Sequence, residues 1–308
     1  MKPGYTKRLY LLPFDHRHSY ESGMFHVTPP LTPEQHAKVA DSKQVIYEGF
    51  TDALAGGVPA TDAGILVDEE FGTPILRDAA AHGYTTALST EKSGVDEFEF
   101  EYGDAFAAHI DKFHPTFAKV LVRYNPEDDA AMNARQASRL KRLSDYCWGG
   151  DTRFMFELLV PATPAQLARA GNDAGRYDRE IRPGLMIEAI RTLQDAEVEP
   201  DVWKIEGLDL RADCEAIVGV ARRGGRDEVG CIVLGRGADE NKVVGWLEVA
   251  ASVPGFIGFA VGRTSFWDAI AGFEAGTLTR AEAATRIAKR FAEWTAIFQR
   301  AGGHGATP

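Results

Sequence analysis

Three cysteines in 308 residues, Cys147, Cys214 and Cys231, are too few, too far apart and of the wrong parity for a disulfide framework. They read as reduced, buried thiols, and the expected compartment is the cytoplasm. Long apolar runs are missing too. The N-terminal segment MKPGYTKRLYLLPFDHRH meets Asp15, His16 and Arg17 after one short apolar stretch, so it does not read as a signal peptide, and no stretch approaches a membrane span. Positive charge is in deficit, with 34 Lys and Arg against 45 Asp and Glu and a formal net charge of −11. Such a surface repels polyanions, which argues against nucleic acid and anionic membranes as partners; small phosphates can still answer to local arginines and amides. No P-loop, dinucleotide fingerprint, nucleophile elbow or fixed-period repeat is found.

What is present supports one large core. Hydrophobic residues make up 44% of the chain, and the 31 glycines and 15 prolines are spread along it instead of marking a linker. The expectation is a single domain over residues 1–301, with a disordered tail from Gly302 to Pro308. Eight short apolar runs read as strands: Leu9 to Phe14, Gly64 to Asp68, Thr85 to Ser89, Phe117 to Val122, Phe154 to Val160, Val202 to Glu206, Cys231 to Leu234 and Phe256 to Val261. Between them lie segments with apolar residues every three or four positions, such as PEQHAKVADSKQVIYEGFTDAL, ARQASRLKRLSDYCW and NKVVGWLEVAASV. Strict alternation implies a parallel sheet covered by helices, and eight units in this length fit an α/β single (β/α)₈ TIM barrel better than an open sheet.

A barrel carries function at the C-terminal ends of its strands. Those ends read Asp15 and His16, Asp68 and Glu69, Glu91 and Lys92, Arg123, Glu157, Lys204 and Glu206, Gly235 and Arg236, and Gly262 and Arg263. Charges within apolar runs are costly unless they face a polar cavity, so the ring reads as an active-site mouth.

In VWKIEG, period-two alternation places Lys204 with Val202 and Glu206 on one face, opposite Trp203 and Ile205. Lys204 then points into the barrel. A desolvated amine, or one beside another cation, loses its proton more readily, and the free base attacks a ketone. Lys119, on one face with Arg123 in FAKVLVRYN, supplies that second cation and a hold on a substrate oxygen. Glu157 stands between Phe156 and Leu158, a setting expected to raise its pKa toward proton-shuttling values. The plain alternative is a structural ion-pair network of Lys119, Glu157 and Lys204.

A second signal is the pair of Gly-Arg turns in VLGRGADENKV and AVGRTSFWDAI, after strands seven and eight. Amides at Gly235 and Gly262, the Arg263 guanidinium and then Arg236 are the candidates for binding phosphate. The histidines of DHRHSY, with His26 nearby, invite a metal reading, but zinc needs a third ligand that the sequence does not show. Asp15 and His16 instead read as contacts to substrate hydroxyls or a carboxylate. Arg17 and Arg123 are further candidates for a carboxylate. Trp203, Trp246 and Trp267 lie in apolar stripes and read as packing.

The segments LLPFDHRHS, EEFGTPILRDAAAHGYTTALSTEKSG, FEFEYGDAFAAHIDKFHPTFAKVLVRYNP, DVWKIEGLD and IVLGRGADENKVVGWLEVAASVPGFIGFAVGRTSFWDAI resemble the aldolase domain of bacterial myo-inositol catabolism. The resemblance runs from about Leu9 to about Phe298. It implies retro-aldol cleavage of 2-deoxy-5-keto-D-gluconate 6-phosphate to dihydroxyacetone phosphate and malonate semialdehyde. More distantly the chain is similar to class I tagatose-1,6-bisphosphate and sulfofructose-phosphate aldolases. That similarity implies that Lys204 forms the Schiff base, Lys119 is the second lysine, Glu157 shuttles protons, and Gly262 with Arg263 holds phosphate. The sugar-kinase portion often fused ahead of the domain is not expected ahead of this barrel, so a separate kinase or another ketose phosphate is an open expectation. No metal or other cofactor is expected, because a protonated imine already serves as the electron sink. The expected partner is a phosphorylated keto sugar acid, with a homo-oligomer also open because related aldolases are commonly dimers. Two alternatives stay open: a class I aldolase for another ketose phosphate, and a non-catalytic sugar-phosphate-binding regulator.

Overall fold

The computed structural model describes residues 3–303. Eight strands close into one all-parallel barrel in sequence order, β1 pairing with β2 on one side and β8 on the other. They are β1 (Leu9–Pro13), β2 (Ala63–Val67), β3 (Thr85–Ser89), β4 (Phe117–Arg123), β5 (Arg153–Leu159), β6 (Val202–Glu206), β7 (Gly230–Leu234) and β8 (Phe256–Ala260). All eight fall where alternation places them, with ends moved by at most one residue. The expected (β/α)₈ architecture is the observed one.

The helices fill the crossovers. In chain order they are α1 (His18–Met24), α2 (Pro33–Ala55), α3 (Glu69–Ala81), α4 (Phe106–Asp111), α5 (Ala130–Trp148), α6 (Pro164–Arg169), α7 (Ala174–Glu180), α8 (Arg182–Asp195), α9 (Arg211–Ala221), α10 (Glu240–Ala251), α11 (Arg263–Glu274) and α12 (Arg280–Gly303). Local chemistry sets their starts: Thr32 and Gln35 form a reciprocal capping box with Pro33 in the first turn of α2, and Asp239 accepts from Lys242 N at the start of α10. Helix α12 runs through Gly302 and Gly303, two residues into the stretch expected as a tail; residues 304–308 of that tail lie outside the described residues.

Side-chain alternation divides the core in two. Outward residues such as Trp203, Ile205, Phe156 and Leu158 pack under the helices, where burying each large apolar side chain contributes about 1.5–3 kcal/mol. Inward residues Leu9, Leu11, Leu66, Ala87, Phe117, Met155, Val202, Ile232 and Ala260 form a separate apolar plug. Tyr5 packs edge-on against Phe117, 5.0 Å between ring centroids, at the base of this plug. The plug decides the height of the site. Two residues further along the same faces, Phe117 gives way to Lys119, Met155 to Glu157, and Val202 to Lys204.

Candidate active site

Lys119, Glu157 and Lys204 meet directly above the plug. Glu157 is the Cα partner of Lys204 across β5 and β6, so the two side chains leave the sheet at one level. Lys204 Nζ lies 2.6 Å from Glu157 Oε1, and Glu157 Oε2 lies 3.0 Å from Lys119 Nζ. The Lys119 ammonium also donates to Asp15 Oδ2 at 2.8 Å and to Glu91 Oε1 at 2.7 Å. All five side chains are nearly enclosed, each less than a tenth exposed.

The electrostatics differ from the sequence-based expectation at Glu157. Burial pushes its carboxyl up, but Lys119 and Lys204 together outweigh burial, and the net shift is downward. A carboxylate between two ammoniums is therefore a resting base, not a stored proton. Asp15 behaves alike: burial opposes ionisation, yet Lys119, His16 and Lys204 hold it below the usual carboxylate range. Glu91 goes the other way, because burial, helped by the Asp15 charge, prevails over Lys119 and Arg17. Lys119 is not a bare cation beside Lys204 as expected. Burial disfavours its charge, but Asp15, Glu157 and Glu91 surround it and its pKa is raised. The two lysines communicate through Glu157.

These residues line a cavity of about 210 Å³, somewhat below the ~300–1,000 Å³ common for ligand pockets. Its wall holds Asp15, His16, Glu91, Lys119, Glu157, Lys204 and Arg123, all read from the sequence. Arg123 stands at the rim, donates to Val95 O at 3.3 Å, and has no ion-pair partner among the described residues. The rest of the wall is Leu121, Ser19, the sequence-named Arg17 and His18, and the loop from Lys92 to Phe98, which sequence reasoning did not bring to the site. A bridge between Glu91 and Phe100 folds that loop back over the mouth, and Arg17 anchors it through Glu101 at 2.6 Å. The available signal was the glycine of EKSG: Gly94 has φ +78°, and a side chain there would press on the His18 ring.

The two Gly-Arg turns pack against each other, with Thr264 Oγ1 donating to Ala238 O at 2.9 Å, but they stand outside the lysine cavity. Gly235, Arg236, Gly262 and Arg263 do not line this cavity. The Arg236 guanidinium is held at rest by Asp178 at 2.8 Å and Glu206 at 3.0 Å. Arg263 has no carboxylate partner among the described residues and donates to Arg236 O at 3.3 Å. Gly262 lets this turn close on β1: a methyl group there would sit 2.4 Å from Pro13 O and 3.2 Å from His16 Cε1. His16 thus bridges the Arg263 turn and the lysine cluster. Burial pushes its imidazole down to about 4; Asp15 opposes the shift, while Arg263 and Lys204 add to it. His16 is neutral at pH 7.

Asp68 and Glu69, which end β2 as Asp15 and His16 end β1, are structural. Asp68 caps α3 through Phe71 N and pairs with the fully buried Lys43. Glu69 is held by His109 at 2.6 Å and Lys112 at 2.7 Å. Among the described residues no three His, Cys, Asp or Glu side chains converge as a metal cage; the carboxylates converge on an ammonium instead. Cys147, Cys214 and Cys231 are buried, and burial raises the pKa of each thiol. No helix among the described residues is long and apolar enough to cross a membrane.

The mouth of the closed (β/α)₈ barrel thus carries a lysine on β4, a glutamate on β5 and a lysine on β6. The chain belongs to the family described as "Uncharacterized protein conserved in bacteria (DUF2090)", whose model matches residues 2–302. It is 25% identical over 178 residues to the tagatose 1,6-diphosphate aldolases of Listeria monocytogenes serotype 4b and Listeria innocua serovar 6a, across 56% of this chain and 50% of theirs. The chain thus spans about half the length of the curated relatives it matches. In fold it resembles fructose-bisphosphate aldolase from Plasmodium falciparum, with a TM-score of 0.63, 12% identity, and coverage of 94% of this chain and 89% of that one. A fructose-bisphosphate aldolase from Slackia heliotrinireducens DSM 20476 gives a TM-score of 0.54 at 13% identity, covering 92% and 86%.

Proposed function

We propose that this protein is a class I aldolase in which Lys204 captures the ketone of a phosphorylated sugar-derived substrate. The observation that carries the reading is an enclosed amine in hydrogen-bond contact with an ionised carboxylate, at the wall of a polar cavity. Glu157 takes the Lys204 proton, and the free amine adds to the carbonyl. Glu157 then returns a proton to the departing carbinolamine hydroxyl, and water leaves. The distant sequence similarity to tagatose-diphosphate aldolases supports this class of reaction.

The substrate proposed is 2-deoxy-5-keto-D-gluconate 6-phosphate. Lys204 forms the iminium at C5, and the C3 hydroxyl loses its proton to a carboxylate beside Lys119. The C3–C4 bond breaks, its electrons pass into the iminium as an enamine, and malonate semialdehyde departs. Protonation at C4 and hydrolysis release dihydroxyacetone phosphate and restore the amine. Arg263, which has no carboxylate partner among the described residues, anchors the phosphate and so holds the ketone near the amine. Another ketose phosphate, such as tagatose bisphosphate, would run through the same steps.

Borohydride added with dihydroxyacetone phosphate should leave a stable mass on Lys204, and EDTA should leave turnover intact. A missing adduct, or turnover that follows added zinc, would overturn the reading. The pairing of both lysines with Glu157 favours a second reading, a sugar-phosphate binder without catalysis. Under it Lys204→Ala binds phosphate ligands as the unaltered protein does, and there is no turnover to lose.

A further inference from the structure

Glu157 has no oxygen to spare: Oε1 is on Lys204 and Oε2 is on Lys119. Aldol cleavage needs proton exchange at the amine, at the hydroxyl of the departing carbon and at the enamine carbon. One carboxylate bound to both lysines serves the first well, whereas the hydroxyl sits on C3, two carbons from the imine at C5. Glu91 is the other carboxylate on Lys119 that differs in kind from its neighbours. It is 8% exposed and lines the same cavity, and only Oε1 is engaged, at 2.7 Å from Lys119 Nζ. Its Oε2 makes no hydrogen bond among the described residues. That oxygen is itself covered, and an enclosed carboxylate oxygen without a donor is costly unless it carries a proton.

We propose that Glu91 is the second acid–base residue of this site, exchanging the proton of the hydroxyl whose C–C bond is cut while Glu157 serves the amine. The inference rests on the aldolase reading. In cleavage the C3 hydroxyl proton moves to the Glu91 carboxylate, the C3–O bond becomes the aldehyde carbonyl, and the C3–C4 electrons enter the iminium. In condensation Glu91 returns that proton to the aldehyde oxygen as the bond forms, as microscopic reversibility requires. Lys119, 2.7 Å from Glu91 and 3.0 Å from Glu157, steadies the oxygen between them. The upward shift of the Glu91 carboxyl agrees with a group that carries a proton for part of the cycle.

The test separates the two proton exchanges. Dihydroxyacetone phosphate alone, in deuterium oxide, takes up deuterium at its hydroxyl-bearing α-carbon through the iminium and enamine, with no aldehyde involved. Glu91→Gln should keep this exchange and the borohydride adduct on Lys204 within a few-fold of the unaltered protein. Condensation with malonate semialdehyde should fall about a hundredfold or more, the usual worth of an acid–base group. Glu91→Asp should recover part of the loss. Unchanged condensation in Glu91→Gln overturns the assignment, and so does parallel loss of exchange and condensation, which is what a purely structural support of Lys119 would give. Should the unaltered protein form no adduct, the aldolase reading itself falls, a result distinct from either.

Discussion

Lys119→Met is the perturbation that most directly tests the electrostatic account of the barrel interior. The side chain keeps its length and apolar stem while three carboxylates, Asp15, Glu91 and Glu157, lose their common ammonium at 2.7–3.0 Å. Lys204, with Arg17 near Glu91 and Asp15, then faces three acids. Uncompensated buried charge costs about 3–5 kcal/mol. A proton can replace the ammonium, and the cost of placing it sets a ceiling. With an ordinary carboxyl near 4, protonating one acid at pH 7 costs about 1.36 kcal/mol for each of roughly three units, or about 4 kcal/mol. At pH 5 the same step costs about 1.4 kcal/mol.

The sign follows from the shifts. In the unaltered protein Asp15 and Glu157 are depressed, so their contribution is complete above their unfolded values of 3.8 and 4.5 and is lost only below, as pH falls through the folded values. In the variant the stranded acids are raised, so it gains stability as pH falls. The difference in unfolding free energy should therefore be about 4 kcal/mol at pH 7 and shrink to about 1–2 kcal/mol at pH 5. Urea unfolding followed by tryptophan fluorescence measures it, and buried Trp203 and Trp294 report the transition. An equal loss at both pH values, or a loss below about 1 kcal/mol at pH 7, would refute the claim that Lys119 balances ionised carboxylates.

Lys204→Ala should lose the borohydride adduct together with at least about a thousandfold in turnover, while retaining phosphate binding. Arg263→Ala should raise KM for a phosphorylated ketose roughly tenfold to a hundredfold, the about 1.5–3 kcal/mol of a charge-assisted contact, and Arg236→Ala should do much less because Asp178 and Glu206 already hold it. His16, pushed down to about 4 by burial, should show no imidazole titration by NMR between pH 5 and 8; a midpoint near 6.5 would contradict its enclosure against Gly262 and Phe266. Lys43→Met should cost about 3–5 kcal/mol in urea unfolding by stranding Asp68, and it also removes the donor that holds His16 O at 3.0 Å.

Much of the site was legible because strands obey a two-residue period. Val202, Lys204 and Glu206 share the inner face by arithmetic alone, and the same count aligns Lys119 with Arg123 and sets Glu157 inside β5. Alternation of apolar runs with amphipathic segments carried the eight-stranded barrel for the same reason, since each signal is local and repeated. The loop from Lys92 to Phe98 was not legible, because polar loop residues have no period and their position depends on the Glu91–Phe100 bridge.

What the sequence by itself determined is which residues face inward, and therefore which amines and carboxylates share one enclosure. Tertiary structure alone decided their states and allegiances. Asp15 and Asp68 end equivalent strands, yet one meets Lys119 above the plug and the other meets Lys43 from α2. Two Gly-Arg turns that read alike part company because Asp178 and Glu206 reach only Arg236. The Glu157 pKa was expected to rise toward proton-shuttling values and is instead lowered, since Coulomb interactions sum over neighbours from strands more than thirty residues apart, and no local pattern encodes that sum.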